Sequence, residues 1–430
     1  MLLNFERGRI KLLCQFRFKN FASYRDETVL DMEAANIEEF SDTLFPPPGE
    51  NFSPIVPLSA IFGPNAGGKS NAIAALAYLI SRVASPVFRS TGEGNPFGMV
   101  LKSYSPFLFD ENSRNQPTEF ELTFRTKHAQ YHYCLSIFNN AVESESLSQI
   151  KTPCTRRRSV MLYQRNKDEI ELGTALRKAN KDKVSPTIPY LSFLAISNAF
   201  PEINEAIEWF QGCYIENFAV ADRDHSISGL LEDPKLKPLF LSFLKSMDIP
   251  ISDYTVSKVN EDTKIGDEAE RKVTTTHKVN GKSFSLDLSA ESEGTIKIMS
   301  ALPGIIYSIA KGGLVVFDEF DAKIHPNLLR FLIDLYSNPE VNTKHAQLIF
   351  TCHDISVMKN DLLRRDEIWF VALNQDSASE LWSLYDIIDE NGNHIKHTAA
   401  YDRQYLTGRY GADPYLKKMI KWGDFHATKA

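Results

Sequence analysis

Apolar residues recur along this chain in two rhythms. Between Leu12 and Met32, two strand-like runs flank the polar turn Lys19-Asn20-Phe21-Ala22-Ser23-Tyr24-Arg25-Asp26. Leu58-Ser59-Ala60-Ile61-Phe62 is a short apolar run of the kind a buried strand makes, and Asn71 to Ile80 spaces its apolar residues for a helix face. Residues 118–147 alternate, as in Glu119-Phe120-Glu121-Leu122-Thr123-Phe124, which predicts antiparallel strands. Lys151 to Lys183 is charged and carries Arg156-Arg157-Arg158, read as a solvated loop; Pro189 to Ile249 turns helical. Strands return at 254–260 and 272–288, and helix and strand alternate to the end. The pattern predicts an α/β protein in three parts: 1–148 as the first part of a core, 149–270 as an inserted, mostly helical subdomain, and 271–430 as the rest of the core.

Between the strand and the helix lies Gly63-Pro64-Asn65-Ala66-Gly67-Gly68-Lys69-Ser70, which fits G-x-x-x-x-G-K-[ST]. Glycines let backbone N–H groups converge on a phosphate where a helix start also favours negative charge. Lys69 then reaches the β- and γ-phosphates, and the Ser70 hydroxyl ligates Mg²⁺. The loop predicts binding of a nucleoside triphosphate, and the hairpin before it is placed to cover the base. Leu314-Val315-Val316-Phe317-Asp318-Glu319 is an apolar strand ending in two acids, the Walker B arrangement. Asp318 is the expected Mg²⁺ ligand, and Glu319 the group that polarises the attacking water. More than half the chain separates Lys69 from Asp318, and no Asn-Lys-x-Asp guanine motif occurs, so a simple small GTPase is not indicated. The strand Gln347–Thr351 delivers Cys352-His353-Asp354, which offers His353 as a γ-phosphate sensor.

Composition changes this picture little. Apolar content of 43% and charged content of 24% are ordinary for a globular protein, and a net charge of −7 does not indicate a globally basic nucleic-acid binder. No uninterrupted apolar run approaches the ~18 residues of a spanning helix, and the first residues lack the order of a signal peptide. Cys14, Cys134, Cys154, Cys213 and Cys352 form no CxxC pair, which points to reduced thiols in a cytoplasmic protein without structural zinc.

Asp318-Glu319-x-Asp321 followed by Thr351-Cys352-His353-Asp354 resembles the Walker B, D-loop and switch-histidine series of ABC-type ATPases. Leu288 to Lys297 sits where that family carries its signature. Ser292 and Gly294 match the serine and second glycine, while Glu291 and Glu293 replace the leucine and first glycine. Gly-Pro-Asn-x-x-Gly-Lys-Ser-Asn, ending at Asn71, and Asn20-Phe21-x-Ser23-Tyr24 resemble SMC-like ATPases and the ATPase part of overcoming-lysogenization-defect nucleases. Glu-Ser-x-Gly-Thr, Asp-Glu-x-Asp-Ala-x-x-His-Pro, Arg-x-Asp-x-Ile-Trp-Phe and Gly408-Arg409-Tyr410-Gly411-Ala412-x-Pro414 are similar to the stand-alone ATPases of bacterial abortive-infection and other anti-phage operons. The resemblance covers residues 12–125 and 280–415.

It implies an ABC-type P-loop core with a mixed sheet, binding ATP and Mg²⁺ and hydrolysing ATP. It adds Asn71 and Asp321 to the nucleotide-binding set, and makes Ser292 and Gly294 complete the site of a neighbouring copy. A homodimer or higher even-numbered homo-oligomer follows, with a separately encoded toxin or nuclease effector, a DNA or phage-derived trigger, and no membrane. Two other readings stay open: an SMC-like DNA-tethering or repair ATPase, and the ATPase subunit of a transporter. The lack of a long heptad-bearing segment weighs against the first, and the altered signature against the second. The Gly408–Pro414 stretch with Tyr401, Tyr405 and Tyr410 suits a docking surface or self-packing equally.

Overall fold

A computed structural model describes residues 10–91, 105–153, 158–181, 184–197, 200–217, 229–258, 271–389 and 391–412. The hairpin β1 (Lys11–Lys19) and β2 (Thr28–Asp31) leads into β3 (Leu58–Phe62) and α1 (Lys69–Thr91). After the short α2 (Glu111–Arg114), β4 (Thr118–Thr126), β5 (Ala129–Phe138) and β6 (Ala141–Lys151) form a meander that β7 (Val160–Asn166) and β8 (Glu169–Leu172) extend. Next come α3 (Tyr190–Ser197), α4 (Pro201–Gln211), β9 (Tyr214–Asn217) and α5 (Lys237–Ser246). β10 (Asp253–Lys258), β11 (Arg271–Val279) and β12 (Lys282–Asp287) make a small antiparallel sheet. The chain continues through α6 (Glu293–Lys311), β13 (Gly313–Asp318), α7 (Pro326–Ser337), β14 (Ala346–Thr351), β15 (Ile368–Leu373), β16 (Ser379–Ser383) and α8 (Tyr401–Leu406).

The central sheet runs β16-β15-β3-β14-β13-β9, parallel except for β16. It is buried on both faces, which is why its strands read as continuous apolar runs. Ile61, Val316 and Ile349 pack on one side with α1, while Leu58, Ala60, Phe62, Phe317 and Phe350 pack on the other with α6 and α7. The antiparallel sheet β2-β1-β4-β5-β6-β7-β8 covers α1 from its far side through Phe16, Phe120, Phe124 and Tyr133. A bulge in β1 between Leu13 and Gln15 breaks the ladder. The buried Gln347 side chain of β14 accepts from Leu13 N at 2.6 Å and donates to Leu13 O at 3.0 Å, bonding the two sheets together.

Residues 149–270 differ from the expected helical insertion. β7 and β8 extend the antiparallel sheet, α3 and α4 pack on α1, and β9 pairs with β13 as an edge of the central sheet. Strand pairing between distant residues carries no local periodicity, so a four-residue strand such as β9 leaves little trace in sequence. α1 is also long and apolar enough on average to cross a membrane, because Arg82 and the serines interrupt the run without lowering its mean far; 83% of its most apolar window is buried in the fold, as in a core helix. Tyr401, Tyr405 and Tyr410 are buried, with Tyr405 and Tyr410 stacked on Phe370 of β15 at 5.7 and 5.1 Å, so this part of the C-terminal stretch packs onto the chain's own core. Arg156, Arg157, Cys154 and Pro414 lie outside the described residues.

Candidate functional site

The loop after β3 takes its shape from β15 and β16. Gly63 has φ +155°, and a Cβ there would lie 2.2 Å from the Val371 carbonyl oxygen of β15. Gly68 has φ +118°, and a Cβ would lie 2.2 Å from Ser379 Oγ of β16. Neither position accepts a side chain, and Ala66 adds a third left-handed residue at φ +62°. Ser379 Oγ lies 2.7 Å from both Gly67 O and Ser23 Oγ, and Asn71 Nδ2 donates to Ser23 Oγ at 2.8 Å. The Tyr24 hydroxyl donates to Gly68 O at 3.2 Å. The turn between β1 and β2 thus grips the glycine loop through Ser23 and Tyr24. Ser379 carries no motif, and sequence reading missed it.

The acids arrive on β13. Asp318 is 1% exposed, and its Oδ1 accepts from Ser70 Oγ at 3.1 Å and from Thr351 Oγ1 at 2.6 Å. Its Oδ2 accepts from Asn217 Nδ2, on the neighbouring β9, at 3.0 Å. Thr351 Oγ1 also accepts from the Glu319 backbone N–H at 2.7 Å, holding Glu319 at φ +55°. One hydroxyl at the end of β14 therefore fixes both acids. Asp321 Oδ2 accepts from the backbone N–H groups of His353 and Asp354 at 3.0 and 2.9 Å. Its part is to set the loop carrying His353.

These elements enclose a cleft of about 690 Å³. Pro64, Asn65, Ala66, Gly68, Lys69, Ser70 and Asn71 line one side, and Glu319 and His353 the other. Lys69 Nζ donates to the Gly63 and Pro64 carbonyls at 2.8 and 3.1 Å. Burial lowers the pKa of its ammonium, while Asp318, Asp321 and Glu319 oppose that shift. Ser70 and Asp318 offer a hydroxyl and a carboxylate side by side, a hard oxygen donor set that fits Mg²⁺.

Ser292 and Gly294 do not line this cleft. Ser292 caps α6, its Oγ accepting from Thr295 N at 3.1 Å, and a Cβ on Gly294 would meet the Lys323 carbonyl at 3.1 Å. Glu293 pairs with Lys323, while Glu291 accepts from Thr275 Oγ1 at 2.5 Å and bonds His277 Nε2 at 2.7 Å. Both acids that depart from the signature pattern thus have partners in their own chain. Arg364, in the Arg-x-Asp motif, is fully buried and pairs with Asp366 at 2.9 Å, a structural role.

A glycine loop between a buried parallel strand and a helix, with an acid pair at the end of a second parallel strand, defines a P-loop ATPase of the AAA/ABC kind. The model of the family described as "AAA domain, putative AbiEii toxin, Type IV TA system" matches residues 58–359, well over half of the chain, and the protein belongs to that family. Among curated proteins nothing matches. Similar solved structures include an SmcHead bound to the C-winged helix domain of ScpA, at 15% identity and TM-score 0.38, covering 86% of this chain and 97% of that one. The SMC head domain from Thermotoga maritima, at 14% identity and TM-score 0.35, covers 86% and 98%. Likenesses this loose carry nothing about the site.

Proposed function

We propose that the chain binds ATP with Mg²⁺ and hydrolyses it, as the regulatory subunit of a bacterial anti-phage system that controls a separately encoded toxin or nuclease. One observation carries the enzymatic part: the glycine loop, Glu319 and His353 line a single cleft, with Asp318 tied behind Ser70. The family's toxin–antitoxin description supports the biological part.

In this reading Lys69 and the loop amides bind the β- and γ-phosphates, while Ser70 and Asp318 hold Mg²⁺, which supplies charge neutralisation across the phosphates when bound. Glu319 orients a water and takes its proton. His353 faces the γ-phosphate, its position set through Asp321. Ser292 and Gly294, outside the cleft of their own chain, complete the site of a partner copy, which makes an even-numbered homo-oligomer the working unit.

Lys69→Ala tests this reading. Calorimetry should find ATP binding lost, and cells carrying the variant with its neighbouring effector gene should lose protection in a plaque assay. Unchanged ATP affinity would refute the nucleotide assignment; unchanged protection would refute the regulatory role.

A further inference from the structure

The outward face of the antiparallel sheet carries a group of side chains that nucleotide chemistry does not use. Glu121 on β4 stands opposite Cys134 on β5, and Thr123 opposite His132, so alternation puts Glu121, His132 and Cys134 on one face. His132 Nε2 is 2.8 Å from Glu121 Oε1, and Cys134 Sγ is 3.7 Å from His132 Nδ1. Among the described residues, this is the group of three such donors whose ligand atoms all lie within 4.8 Å of one another. Donors around one zinc ion, bound at its usual bond lengths, stand about 3.3–3.8 Å apart. Cys134 Sγ already lies at that distance from Nδ1, while Glu121 meets the other ring nitrogen, so the imidazole must turn to present one nitrogen to an ion shared by all three. His132 also lines a cleft of about 310 Å³ with Gln15, Thr123 and Ser148. The nearest cation, Arg17, is drawn elsewhere: its Nε lies 2.7 Å from Gln15 Oε1 and its Nη1 3.3 Å from Glu27, against 4.0 Å from Nε to Glu121.

We propose that Glu121, His132 and Cys134 form a zinc site on the outer face of the sheet, with three protein ligands and an open fourth position. Thiolate, imidazole and carboxylate together suit a borderline-soft ion and are a poor match for Mg²⁺. The site clips β4 to β5 and is separate from the ATP cleft. Spacing alone does not reveal it, since the ligands come from two strands and contain no CxxC.

Cobalt titration of the chelator-treated, full-length protein tests the proposal. One equivalent of Co²⁺ should give a thiolate-to-cobalt charge-transfer band that zinc displaces. Cys134→Ser should abolish the band, and His132→Ala should weaken cobalt binding by about tenfold or more, with ATP affinity unchanged in both. A wild-type protein without the band would overturn the proposal. So would a band that survives in Cys134→Ser, which would point to another thiol such as Cys352. Wild-type protein supplies a check that needs no variant: zinc should slow iodoacetamide alkylation of Cys134, read by peptide mass mapping. An unchanged alkylation rate would also overturn the proposal.

Discussion

Thr351→Val removes one oxygen from the candidate site and keeps its volume. The side chain is fully buried, and its Oγ1 donates to Asp318 at 2.6 Å and accepts from the Glu319 N–H at 2.7 Å. A hydrogen bond to a charged group is worth about 1.5–3 kcal/mol and a neutral one about 0.5–1.5 kcal/mol, so the two together amount to about 2–4.5 kcal/mol. Fully expressed in the transition state, that is a slowing of about 30- to 2,000-fold. Two effects combine. Asp318 loses a donor that turns its carboxylate toward Ser70, and Glu319 loses a contact that holds a left-handed backbone costing about 1–3 kcal/mol. Single-turnover hydrolysis should fall within that range, and the Mg²⁺ concentration for half-maximal rate should rise. Thr351→Ser keeps the hydroxyl and should stay within a few-fold of wild type. A Thr351→Val enzyme with the wild-type rate and Mg²⁺ dependence would refute the claim that this hydroxyl organises both acids.

Three further outcomes are expected. Glu319→Gln should retain ATP binding and slow hydrolysis by roughly 10²–10⁴-fold, the usual worth of a general base; a single-turnover rate near wild type would remove Glu319 from that role. Lys69→Ala and Ser292→Arg chains should each be inactive alone, while their mixture regains part of the ATPase activity through one intact composite site; normal hydrolysis by monomeric Ser292→Arg would exclude a shared site. Glu367 is fully buried near the start of β15, and desolvation pushes its carboxyl up to about 8 from 4.5. Because the folded value is raised, the stabilisation tied to its protonated form is complete below about pH 4.5 and lost as pH rises through about 8. Melting temperatures across that range should therefore fall less steeply with pH in Glu367→Gln than in wild type, and parallel curves would count against the shift.

Nucleotide chemistry was legible in the sequence where it resides in contiguous residues. The glycine loop at 63–70 and the acids at 318 and 319 each follow an apolar strand, and local order is enough to place a turn at a strand end. Those strands did emerge as β3 and β13, one strand apart in a parallel sheet. The β1–β2 hairpin and the meander through β6 were likewise readable, because alternation records a sheet with one covered face. What the sequence could not determine is what depends on distant pairing. β9 joined the central sheet and brought Asn217 to Asp318, while β16 placed Ser379 behind Gly68, and neither residue belongs to a motif. Glu121 and Cys134 face each other only through strand register. Local propensity leaves such neighbours undetermined, because register and layer packing are settled by burial of the whole sheet, and only the tertiary structure decides them.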